Sequence, residues 1–217
     1  MLRNITFFFL YFLCISVGYA QKNRIFQHKE IKKYVIKHKS IAILPFKVII
    51  EQASKRSEDS TAYTLREEAR REGYQIPLTC TFLWITYAKP TAPQLQSWDK
   101  SSKILADINY QPSESVLKDS LKKIARLLQV DALIVGFVHA YQDKYTTNYG
   151  KTHFASEEVV SVYLAIYDGE TGALVWQNED SSAYSLRLEE RISLGKNTEI
   201  ILARIFARLP YTKKKRN

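Results

Sequence analysis

The sequence predicts an α/β (α+β) fold in a single domain: a mixed β-sheet covered by helices and closed by an antiparallel C-terminal hairpin. Three observations predict it. Residues 41–46 and 132–138 are short continuous apolar runs, the pattern of strands buried on both faces. Leu117, Leu121, Ile124 and Leu128 recur at helical spacing between those runs. Val160, Val162, Leu164 and Ile166 alternate with Ser161, Tyr163 and Ala165, a turn with two glycines follows at 168–172, and 173–184 returns. With 217 residues, 46% of them apolar and 25% charged, the chain has room for one such core. Its 7 Gly and 2 Cys exclude collagen-like and disulfide-scaffold classes.

Taken in order, residues 1–20 have the parts of a secretory signal. Arg3 supplies the positive start, 5–17 the apolar run, and Gly18 and Ala20 the small residues before a cleavage between Ala20 and Gln21. The run is shorter than the roughly 20 residues that span a bilayer. Cys14 follows Tyr11, Phe12 and Leu13 with no small residue just before it, and cleavage at Ala20 removes it. The expectation is a periplasmic or secreted protein and not a lipoprotein. Cys80 is then the one thiol left, in an apolar run, and reads as a small core residue rather than a nucleophile.

Residues 21–39 form a basic lead-in, helical or flexible, in which His28 and His38 are expected to be solvated. The domain runs from 40 to 212, and 213–217 is a basic tail. Pro45 cannot donate to a ladder, so pairing on one side of the first strand should end there. Residues 51–60 read as a loop and 61–72 as a helix, with a break at Gly73. A second helical segment, 76–87, has Pro77 in its first turn and Phe82, Leu83 and Trp84 inward. A short strand at 95–99 and a helix at 101–108 follow. Ser113 is the natural N-cap of the clearest helix, and Asp131 ends it. Residues 132–138 form a central strand, and 141–156 a long exposed loop. The final helix starts from Asn197 as N-cap, carries Ile201, Ile205 and Leu209, and stops at Pro210.

The formal charge of +10 is not spread over the fold. Residues 22–39 hold a net +6 and 213–216 a further +4, while 40–212 is a net −1. A neutral body argues against nucleic acid as partner. The basic ends fit weak, salt-sensitive contact with anionic membrane or polysaccharide.

No P-loop, dinucleotide-binding glycine triad, zinc-protease, serine-hydrolase or paired-cysteine motif is present, so no catalytic residue, metal or cofactor is assigned. His139 ends an apolar strand and reads as a partly buried polar residue. The turn from Asp168 to Gly172 lacks the alternating ligands of a calcium loop and reads as a plain hairpin. Asp131 reads as a loop cap, and Glu67, Glu68, Glu189 and Glu190 as solvated helix charges. The one stretch with binding character is the loop carrying Tyr141, Lys144, Tyr145, Tyr149, Lys151 and Phe154, where aromatics alternate with cations.

Three segments, SIAILPF at 40–46, LQVDALIVG at 128–136 and YDGETGALVW at 167–176, together resemble a group of bacterial envelope proteins. The group includes the periplasmic domain of the curli secretion-channel lipoprotein, peptidoglycan-synthase activator lipoproteins, the amino-terminal domain of the Tol-Pal β-propeller protein, and many exported proteins without an assigned role. The similarity covers roughly 40–211. It implies a mixed-sheet α/β domain that acts by contact rather than catalysis. The chain departs from the group in having no lipidated cysteine and no pair of amphipathic hairpins for a pore. The function expected is an exported non-catalytic envelope protein that binds envelope proteins, with homo-oligomers possible and the 159–184 hairpin offering a sheet edge. The alternative is an exported hydrolase whose site is not visible as a motif.

Overall fold

The two continuous apolar runs lie side by side. In the computed structural model, which describes residues 25–51, 59–113, 117–146, 154–185 and 194–213, strand β2 (Ser40–Ile43) pairs in parallel with β5 (Ala132–Thr146). Ile41 stands opposite Ala132, and Ile43 opposite Ile134. Continuous apolarity follows from burial on both faces. Ile41, Ile43, Ala132 and Ile134 join one core with residues of a long helix and of the last helix. Ala42, Leu44, Leu133 and Val135 join a second core with Leu105, Leu121, Ile124 and Leu128.

The sheet is mixed, as the sequence predicts, and among the described residues it has seven strands and five helices in one domain. Its order is β1 (Phe26–Gln27), β7 (Leu174–Ser185), β6 (Phe154–Asp168), β5, β2, β4 (Gln94–Leu95). Strand β3 (Lys47–Glu51) pairs in parallel with β5 beyond the end of β2. Pairing is therefore interrupted at Pro45 and resumes at Lys47, which stands opposite Phe137. Helix α1 (Ile31–Lys37) precedes β2, and α2 (Asp59–Tyr87) and α5 (Leu194–Phe206) line the first core. Helices α3 (Trp98–Asp107) and α4 (Lys118–Leu128) line the second.

Several expectations are corrected. The lead-in is not solvated throughout: β1 adds to the β7 edge, and His38 is only 2% exposed. Gly73 does not break a helix, because α2 runs unbroken for 29 residues with Pro77 inside it. Pro77 has no N–H to give the carbonyl of Gly73, and that carbonyl accepts the N–H of Phe46 instead, at 3.2 Å. A Cβ on Gly73 would stand 2.6 Å from the Phe46 carbonyl oxygen, so only glycine lets the strand junction approach. Both residues that would ordinarily end the helix thus serve a contact across it. Phe82 points outward, whereas Leu83 and Trp84 are buried as expected.

Helix α4 begins at Lys118 with Leu117 at its N-cap position, so Leu117 is exposed rather than core, and Ser113 lies before the helix. Helix α5 begins three residues before Asn197, which is buried inside it. The expected loop at 141–156 is largely strand: β5 and β6 stay paired out to Thr146 and Phe154. The segment is polar and so resembles a loop in sequence, but its backbone continues the antiparallel register of the inner ribbon. The signal segment, Tyr149, Lys151, Glu189, Glu190 and the tail from 214 lie outside the described residues.

Candidate protein-contact surface

From Gly73 to Ala88, sixteen residues mostly in α2, there is no charged side chain. The inner face is core: Ile76, Cys80, Leu83 and Trp84 are each at most 5% exposed. The outer face is also apolar. Tyr74, Leu78, Phe82 and Ile85 follow at spacings of four, four and three, and are 48%, 46%, 66% and 74% exposed. Two neighbouring threonines turn their hydroxyls onto the helix: Thr81 Oγ1 donates to the Pro77 carbonyl at 2.8 Å and Thr86 Oγ1 to the Phe82 carbonyl at 2.9 Å. Two of the hydroxyls beside the stripe are thereby occupied by backbone.

At the Gly73 end the stripe runs into a cleft of about 360 Å³. Its walls are Ala69, Arg70 and Tyr74 of α2, the β2–β3 junction at Phe46 and Lys47, and Gln111. The Tyr74 ring stands edge-on to Trp98, 6.4 Å away, which fixes one rim. Arg70 pairs with Glu67 at 3.2 Å, both exposed. Lys47 is half-buried and forms no ion pair among the described residues.

The other titratable groups serve the fold. Asp168, fully buried, accepts from the Thr171 backbone N–H at 2.8 Å and hydroxyl at 2.6 Å, from Lys37 Nζ at 3.0 Å and from His38 at 3.1 Å. Because a carboxylate only accepts, His38 donates through Nε2, and its Nδ1 accepts the Tyr211 hydroxyl proton. Burial opposes charge on Asp168, but these donors outweigh it and hold the carboxyl at about 2. Burial also lowers the His38 pKa, so the ring is neutral at pH 7, and raises that of Tyr211. The turn is a plain hairpin in shape, yet its aspartate is a hub.

Asp131 caps the start of β2, accepting the N–H groups of Lys39 and Ser40 at 2.8 and 2.9 Å. His139 lies 3.3 Å from Glu51, and the Cys80 thiol is pushed up by burial. Among the described residues, no three of His, Cys, Asp and Glu gather where a metal could bind. Of the proposed loop site, Tyr141, Lys144, Tyr145 and Phe154 sit on the β5–β6 ribbon, with Tyr141 half-buried against His139. Sequence reasoning passed over the α2 stripe because it placed Phe82 inside. The signal was present, as a charge-free helix with apolar residues on both faces.

No family model matches this chain, and no curated protein matches it. Solved structures similar to it include the LpoB C-terminal domain from Salmonella enterica, at 11% identity and TM-score 0.33, covering 70% of this chain and 91% of that one. Lipoprotein GNA1162 from Neisseria meningitidis is similar at 14% identity and TM-score 0.37, covering 76% and 94%. The PelC dodecamer from Paraburkholderia phytofirmans is similar at 12% identity and TM-score 0.38, covering 77% and 85%. At these levels none of them lends this chain an activity or a partner. The expectation that the chain is not a lipoprotein is corrected: a protein named as a lipoprotein is among the similar structures.

Proposed function

We propose that this protein is a non-catalytic component of the bacterial cell envelope that works by binding a protein partner through the outer face of α2. The observation that carries the reading is the exposed stripe of Tyr74, Leu78, Phe82 and Ile85 on a helix half without charge. A helix that is apolar all round is a buried helix, and a contiguous apolar patch on a folded surface marks a contact site. Each large side chain moved out of water is worth about 1.5–3 kcal/mol when fully buried, so four of them, already partly covered, suit a moderate affinity. Among the described residues no helix is long and apolar enough to cross a membrane. The hydrolase alternative asks for converging acids and bases in one pocket, but among the described residues the cleft beside the stripe is lined by no carboxylate or histidine.

The test is site-specific photo-crosslinking in the living cell. A photoreactive residue at Phe82 or Ile85 should trap a discrete protein adduct, while the same group at exposed Lys103, on the opposite side of the sheet, should not. Equal adducts from both sites, or none, would overturn the reading.

A further inference from the structure

The cleft at the head of the stripe carries information about the partner's charge. Among the described residues, Lys47 is half-buried there without a counter-ion, and Arg70 has the exposed Glu67 as partner, a pair worth little in water. A partner lying along Tyr74 to Ile85 would cover this cleft and take Lys47 further out of water. A cation so covered is costly unless an anion arrives with the covering group. The body is otherwise neutral, at a net −1 over 40–212, so the two cations are a local feature rather than a general surplus.

We infer that the partner is a protein segment with an apolar stripe and a carboxylate at the end that meets Lys47 and Arg70. The inference rests on the docking reading above. Tyr74 belongs to both the stripe and the cleft, so one continuous segment reaches both. Gln111 also lines the cleft, and its amide is a further donor that a carboxylate seated there can use. An anionic bilayer is the poorer fit: it would need cations beside the stripe along its length, and residues 73–88 have none.

A random peptide display library selected on the full chain tests this, with Phe82→Glu and Lys47→Glu/Arg70→Glu variants as counter-targets. The expected result is Phe82-dependent peptides with apolar residues three or four apart and Asp or Glu at one end. Fluorescence anisotropy of such a labelled peptide should show at least about tenfold weaker binding to the double variant at low salt, and a smaller gap in about 0.5 M NaCl. Lys47→Gln/Arg70→Gln should fall between, with thermal melts showing that all variants fold. Phe82-dependent peptides without acidic bias, bound equally by the double variant, would overturn the carboxylate while leaving the docking face standing. No Phe82-dependent peptide would overturn both. A dimer in sedimentation that Phe82→Glu dissolves, or Phe82-dependent binding to phosphatidylglycerol vesicles over phosphatidylcholine ones, would give the face to a second copy or to lipid and overturn the inference.

Discussion

Asp168 shows how one residue in an unremarkable turn can govern stability. Its carboxyl sits at about 2 in the fold, against about 3.9 in an unfolded chain. The unfolded state therefore takes up the proton first as pH falls. The contribution, on the order of 2–3 kcal/mol, is present above about pH 4 and lost as pH drops from there through about 2. His38 acts in the same direction higher on the scale. Burial keeps its pKa below the usual 6.5, so the unfolded chain is protonated first and stability declines below that pH until the folded ring also titrates. Urea unfolding from about pH 8 to 2 should show both losses, and His38→Gln should flatten the decline that begins near pH 6.5. Asp168→Asn should cost about 2–4 kcal/mol at pH 7, because it strips buried donors of a charged acceptor. None of this was legible beforehand. Local signs show that the segment turns, but not that Lys37, His38 and Tyr211 converge on it.

At the scale of elements, Phe46 couples β2, β3, β5 and α2. Its N–H bonds the Gly73 carbonyl, and its ring fills the space above Gly136, where a Cβ would stand 2.2 Å from Cε1. Gly136→Ala should therefore cost about 1–3 kcal/mol by overpacking, and Phe46→Leu should recover part of it in a double-mutant cycle read by thermal melts. Pro77→Ala should behave unusually. In a helix interior proline ordinarily costs about 3 kcal/mol, but here the carbonyl it frees already has a donor, so the gain should stay under about 1 kcal/mol. The strands with strong patterning, β2, β5, β6 and β7, were all legible because burial on one or both faces writes itself into the sequence. Gly73 and Pro77 were not, since their meaning depends on a strand that passes them in space. The outer half of the β5–β6 ribbon was missed because its residues are polar, and a polar stretch resembles a loop.

For the whole molecule, an apolar surface on a stable body predicts a separation of effects. Phe82→Glu should leave unfolding free energy within about 0.5 kcal/mol of the parent, as expected for an exposed site, while abolishing the Phe82-dependent contacts. A loss of stability equal to a core substitution would show that the stripe is covered within the molecule. The architecture was legible as a mixed sheet between helices, whereas the contact face was not, because inward and outward sides of a charge-free helix look alike in sequence. The Asp168 hub has a further consequence for the order of events in time. It joins His38 to Asp168 and to Tyr211, 130 and 173 positions away along the chain. During vectorial synthesis β2 must wait for β5, and His38 must wait for Tyr211 before its second ring nitrogen is satisfied. Closure of such distant partners is slow, on the order of milliseconds to seconds. In refolding from urea, a chain truncated after Leu209 should stay protease-sensitive, and protection should return when the residues through Tyr211 are restored.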